Sequence, residues 1–140
     1  MRFMMLMYPG PNAETETNPT DNNMDLLNAM MAFNQRMIDA GIMLAGDGLK
    51  PTAKGARVKF GRGTATVIDG PFTETKEILG GYWMIKAGSL AEAVAWARQA
   101  PCPEGEMIEV RQVYEAEDFG PDVAERELEM IRQMAGGKKD

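Results

Sequence analysis

The sequence predicts an α+β domain: a ferredoxin-like sheet with two crossover helices on one face, followed by a C-terminal helix. Three observations carry this expectation. Apolar runs and helix signals follow one another as strand, helix, strands with a hairpin, helix, strand, an order that suits two crossover helices packed on a largely antiparallel sheet. The runs read as strands are apolar on both faces. A chain of 140 residues, 44% hydrophobic and 26% charged, has the size and composition of one globular domain, which excludes disordered, collagen-like and coiled-coil classes.

Residues 2–8 form a continuous apolar run that ends at Pro9-Gly10-Pro11, as a first strand entering a loop does. The loop is long and polar, to about Thr20. Thr20 or Asp21 then caps a helix in which Leu27, Met30, Met31, Met37 and Ile38, with Phe33 beside them, recur at roughly helical spacing, and Gly41 stops it. Residues 42–45 read as a brief strand, broken by the turn formers Gly46-Asp47-Gly48-Leu49-Lys50-Pro51. Residues 56–60 and 64–68 alternate with period two around Gly61-Arg62-Gly63, a hairpin by length and composition.

Between this hairpin and the next strand lies Asp69-Gly70-Pro71-Phe72-Thr73-Glu74-Thr75-Lys76-Glu77. Asp69 should end the strand, Gly70 supply an unusual backbone angle, and Pro71 fix the bend. Residues 78–87 make a further strand, with Gly80-Gly81 allowing a bulge or a close backbone approach. Ser89-Leu90-Ala91-Glu92 has the form of a capping box and opens a helix that runs to Pro101. Residues 107–114 are the last strand of a domain spanning 1–118. Pro121 then begins the helix of an extension spanning 119–140, with Ala124, Leu128, Ile131 and Met134 along one stripe.

Two crossover helices cover one face of such a sheet and leave the other bare. Since Phe3, Met5 and Met7 lie opposite Met4, Leu6 and Tyr8, and Tyr82 and Met84 opposite Trp83 and Ile85, the strands are apolar on both faces and the bare face needs a cover. Its simplest cover is a second copy, sheets face to face in a two-fold homodimer; the alternative is the C-terminal helix folded over a monomer. The thirteen methionines suit a core of either kind.

Composition excludes several functions. The net charge of −6 lies mostly in residues 115–140, which carry 8 acids and 4 bases. That balance disfavours nucleic acid and anionic membrane as partners, because phosphate neutralisation needs surplus Lys and Arg. The basic run Lys50, Lys54, Arg57, Lys59 and Arg62 reads as a solvated hairpin face, without interleaved stacking aromatics. A single cysteine, Cys102, allows no intramolecular disulfide and no zinc framework, which points to a reducing cytoplasm; no cofactor is implied. No apolar run approaches the about 20 residues that span a bilayer.

Asp69, a carboxylate at a strand end beside an aromatic ring, is the candidate acid/base group, or simply an acceptor for backbone N–H groups of its turn. Phe72 and Lys76 in the same stretch are candidates for the rim of a pocket, and Tyr8 and Trp83 for its walls. Glu109 and Arg111 stand two apart on one strand face between Met107 and Val113, where charges are costly unless paired. They read as a buried structural pair, a dimer contact, or an anion site built on Arg111.

The stretch Asp69–Glu77, followed by Gly80-Gly81-Tyr82-Trp83, Ala93-Val94-Ala95-Trp96-Ala97 and Glu109-Val110-Arg111, resembles the DGPF branch of the YCII-related proteins over about residues 1–115. The resemblance implies a dimeric α+β barrel with a cleft near the strand ends, in a bacterial cytoplasmic family, some of whose members are associated with sigma factors of the extracytoplasmic-function type. Relatives outside this branch pair a histidine with an aspartate for acid/base work. This chain has no histidine, so that chemistry does not carry over, and Gln112 replaces the proline of the usual Glu-Val-Arg-Pro ending.

Three functions compete. The first is a small-molecule-binding dimer with a cleft near Asp69. The second is a lyase or isomerase acting on a small organic acid, with Asp69 as acid/base and Arg111 holding the carboxylate. The third is an interaction module, linked to a sigma factor, that uses the acidic tail and helix 121–135.

Overall fold

The computed structural model describes residues 1–10 and 24–136. Its main sheet has four antiparallel strands, β1 (Arg2–Tyr8), β2 (Met43–Gly48), β5 (Gly81–Lys86) and β6 (Met107–Gln112), in the order β2-β5-β1-β6. Helices α1 (Met24–Asp39) and α2 (Leu90–Ala97) are the crossovers, so the ferredoxin-like order is present with a hairpin inserted between its second and third strands. The hairpin, β3 (Ala56–Gly61) with β4 (Thr64–Asp69), forms a separate two-stranded sheet rather than extending the main one. Helix α3 (Pro121–Gly136) is the last element of the described residues.

Cross-strand register fixes the two faces. Phe3 pairs with Ile85 and Met5 with Trp83, and these four side chains point under the helices, where Phe33 and Met37 of α1 and Ala93 of α2 complete the core. Phe33 meets Trp83 edge-to-face at 5.7 Å, and the Trp83 indole N–H donates to Asn34 Oδ1 at 2.8 Å, so the one polar atom of that ring is satisfied inside the core.

Helix ends follow the sequence signals. Ile42 N donates to Met37 O and Gly41 N to Ile38 O, with Gly41 at φ 74°: a Schellman motif that only a left-handed residue completes. Ser89 Oγ accepts from Glu92 N at 3.1 Å, while the Glu92 carboxylate accepts from Gly88 N at 2.7 Å, one residue earlier than the usual capping box. The expected cap of α1 at Thr20 or Asp21 lies outside the described residues, as does most of the preceding loop.

Two local expectations are corrected and two open alternatives decided. Gly46-Asp47-Gly48 is strand, not turn, because β2 is an edge strand whose irregularity falls between Met43 and Ala45. Gly80-Gly81 makes the close approach and no bulge: a Cβ on Gly81 would stand 2.9 Å from the Asp47 carbonyl. The strand there starts at Gly81 rather than at residue 78; Ile78 precedes it, buried. Finally, α3 does not fold over the open sheet face. It packs on the 3-10 turn Ala116–Phe119 and is solvent-exposed along its length, with Ala124 half-buried.

Candidate functional site

The predicted site residues fall into three places. Asp69, Phe72 and Lys76 belong to the connection that leaves the hairpin. Gly70 N donates to Gly55 O at 3.1 Å, and Phe72 N donates to Thr52 Oγ1 at 2.9 Å, so the segment is tied back to the turn that precedes β3. A Cβ on Gly70 would coincide with the Thr52 carbonyl oxygen. Glycine is therefore required by close approach, not by a positive φ, which Gly70 does not have. The Gly70–Pro71 peptide is cis. The Phe72 ring lies under the Arg57 guanidinium, 3.8 Å from its carbon to the ring centroid, a cation–π contact that clamps the base of β3.

Asp69 itself ends β4 opposite Ala56 and is exposed; among the described residues its carboxylate makes no hydrogen bond or ion pair. Lys76 is exposed in the 3-10 turn Thr75–Glu77. Trp83 lies in the core beneath the helices, on the face opposite Tyr8, so these two side chains do not share a pocket wall.

The third place is the open face of the main sheet, which carries Tyr8 at one end of the β1–β6 pair and Glu109 and Arg111 further along it. Register puts Tyr8 beside Met107, Leu6 between Tyr82 and Glu109, and Met4 between Met84 and Arg111. Since neighbouring strands lie about 4.8 Å apart, Tyr82 and Glu109 flank Leu6 at about 10 Å between their backbones. Arg111 and Glu109 approach to 4.0 Å, with their side chains 73% and 45% exposed. The contact is long and solvated, and it leaves most guanidinium donors free. The buried structural pair is thus not what the described chain contains.

One element of this face was not singled out from sequence. Asp47 of β2 pairs with Tyr82 of β5, and the Tyr82 hydroxyl donates to Asp47 Oδ2 at 2.9 Å. This hydrogen bond, reinforced by the carboxylate's charge and to a small extent by burial, pushes the phenol up from its ordinary value of 10.0. A phenol held protonated in this way is a poor general base, but its oxygen can still accept one hydrogen bond. The bare face thus carries a transverse polar row, Asp47–Tyr82 then Glu109–Arg111, set among Met4, Leu6, Tyr8, Met84 and Met107.

Cys102 lies off this face, half-buried in a groove of about 480 Å³ that includes Val94, Glu106 and Ile108. Burial, helped by Glu106, pushes its thiol up to about 11, which suppresses the thiolate. Among the described residues no group of three or more His, Cys, Asp or Glu is placed to hold a metal ion, and no helix is long and apolar enough to cross a membrane.

The architecture is that of an α+β domain with an antiparallel sheet. Residues 1–117 match the YCII-related domain, and the chain belongs to that family. An uncharacterised protein of Rhizobium meliloti (strain 1021) is 33% identical over 100 residues, which cover 70% of this chain and 78% of the relative. Among solved structures, 5-chloro-2-hydroxyhydroquinone dehydrochlorinase from Burkholderia phenoliruptrix AC1100, in complex with 2,5-dihydroxybenzoquinone, aligns with a TM-score of 0.46 at 14% identity. The alignment covers 82% of this chain and 95% of that one. The family match ends before α3 begins.

Proposed function

We propose that this protein is a small-molecule-binding homodimer, in which the open sheet faces of two copies pack together and enclose a site for a small organic anion built on Arg111. The observation that supports this most is the polar row across an otherwise apolar, uncovered face. Met4, Leu6 and Met84 supply the surface that a second copy would bury, and each further Å² of apolar area removed from water contributes about 25 cal/mol. Arg111 offers a planar fork suited to a carboxylate, the Tyr82 oxygen offers an acceptor, and Glu109 is the group an incoming anion would displace from Arg111.

The lyase or isomerase reading centred on Asp69 has less support, because that carboxylate is exposed and makes no hydrogen bond or ion pair among the described residues. The interaction-module reading retains α3 as its surface. The anion reading is tested by calorimetry with a panel of small aliphatic and aromatic carboxylates. Arg111→Met should weaken a bound carboxylate by about 10- to 100-fold, the equivalent of losing a charge-assisted hydrogen bond worth about 1.5–3 kcal/mol. Asp69→Asn should leave the affinity unchanged. Equal affinity in wild type and Arg111→Met would remove Arg111 from the site.

A further inference from the structure

On one side the main sheet ends at β6. In an antiparallel pair, successive residues turn their N–H and C=O alternately toward one neighbour and the other. Val113 N donates to Arg2 O at 2.9 Å, so residues 107, 109, 111 and 113 face β1, while Ile108, Val110 and Gln112 turn their backbone groups outward. Among the described residues nothing pairs with those outward groups. The usual protections of an edge strand are missing: residues 107–112 hold no proline and no lysine, and their register with β1 is unbroken from Phe3 to Tyr8. The opposite edge, β2, is interrupted between Met43 and Ala45.

The charges on β6 select the strand that fits this edge. A second β6 running antiparallel meets the outward groups with its own only when even-numbered residues stand opposite one another. Centring such a pair on residue 109 or 111 would set Glu109 against Glu109 or Arg111 against Arg111, and like charges directly opposite are destabilising. Centring it on Val110 sets Glu109 opposite the partner's Arg111 and Arg111 opposite the partner's Glu109. These are the non-hydrogen-bonded positions, where Cα atoms stand about 4.5 Å apart and side chains are closest. Within one chain the two residues reach only 4.0 Å and stay solvated.

We infer that β6 of one copy pairs antiparallel with β6 of a second copy about a two-fold axis at Val110, joining two main sheets edge to edge through reciprocal Glu109–Arg111 ion pairs. A second copy is the occupant because β6 complements itself in backbone and charge in that one register, and the contact closes with two-fold symmetry. The Cys102 groove runs along the same edge, where Leu90 and Val94 of α2 stand exposed beside Ile108 and Val110; across the axis the grooves of two copies meet. The contact goes beyond the anion site. It uses the strand edge rather than the open face, and a guanidinium with five N–H donors keeps some for a carboxylate.

Disulfide trapping tests this in a Cys102→Ser background. Val110→Cys puts two thiols at the axis with Cα atoms about 5.5 Å apart, within disulfide reach. Gln112→Cys is more exposed, but its counterpart would lie four residues off, about 13 Å along the strand. Under mild oxidation Val110→Cys should crosslink at least about tenfold faster than Gln112→Cys. Adding Glu109→Arg to Val110→Cys should slow the crosslink about tenfold, and so should adding Arg111→Glu; mixing these two proteins should restore it as a heterodimer, because opposite charges again face each other. Equal rates for Val110→Cys and Gln112→Cys overturn the inference, as does a rate indifferent to the charge changes. Met84→Glu, which puts a charge on the open face, should spoil face-to-face packing and leave this crosslink unchanged, so the two readings fail separately.

Discussion

Gly70→Ala probes what the Asp69–Glu77 stretch does. The added methyl would occupy the position of the Thr52 carbonyl oxygen, and both groups are backbone-anchored, so two chain segments must separate. Separation breaks the Gly70 N–H to Gly55 O and Phe72 N–H to Thr52 Oγ1 bonds and lifts Phe72 off Arg57. At about 1 kcal/mol per hydrogen bond and about 0.5–1 for an exposed cation–π contact, the base of the hairpin loses about 2–3 kcal/mol. The main sheet shares none of these contacts, so the loss should be local. Limited proteolysis reads it: tryptic cleavage after Arg57 and Lys59, inside β3, requires the strand to open, and its rate follows the open population. Cleavage should accelerate about 30- to 150-fold in Gly70→Ala. In Asp69→Asn it should not change, because that carboxylate holds nothing among the described residues. Unchanged cleavage in Gly70→Ala, or equal acceleration in Asp69→Asn, would refute this division between a structural glycine and a free aspartate.

Other outcomes follow from single contacts. Trp83→Phe keeps the ring packed on Phe33 but removes the donor to Asn34, and urea denaturation should show a loss of about 1–2 kcal/mol. Ser89→Ala removes the acceptor for Glu92 N–H and should cost about 1 kcal/mol in the same assay. In a phenolate absorbance titration, Tyr82 should ionise above its ordinary 10.0, and Asp47→Asn should bring it back down. The sign is that of a raised folded-state pKa: the contribution to stability is complete below the unfolded value and disappears as pH rises through the folded one. For Cys102, a thiol at about 11 instead of 9.0 has about 100-fold less thiolate at neutral pH. Alkylation should therefore be at least about tenfold slower than in denaturant, which exposes the thiol and removes Glu106.

The local signals in the sequence translate directly into structure. Ser89 with Glu92, Gly41 and Pro121 mark helix ends through bonds between near neighbours, and the 56–69 hairpin is set by its own turn. The alternation of Phe3 and Met5 with Met4 and Leu6 assigns both sheet faces, because side-chain direction reverses at every residue. Long-range register is another matter. Gly46-Asp47-Gly48 has turn composition, and only pairing with Tyr82 and Gly81, 33 to 35 residues away, makes it an edge strand. The Asp47–Tyr82 bond depends on that register, which shifts at Leu44, so no local pattern announces it. Tyr8 and Trp83 fall on opposite faces by the same parity that correctly sorts their neighbours. Asp69 stood out in the sequence because its motif is specific; within that motif the structural contacts are made by Gly70 against Thr52 and Phe72 under Arg57.

Methionine oxidation reads the open face most directly, because the side chains that report on it are already in place. Met107 on that face is 54% exposed and Met31 on the outer side of α1 is 57% exposed in the single chain, so an isolated copy would lose both to peroxide at similar rates. A sheet face covered by a second copy predicts that Met107, with Met4 and Met84, is protected at micromolar protein while Met31 reacts, and that protection fades on dilution. Oxidation of Met107 as fast as Met31 at every concentration would contradict the paired-face dimer and, with it, the enclosed anion site.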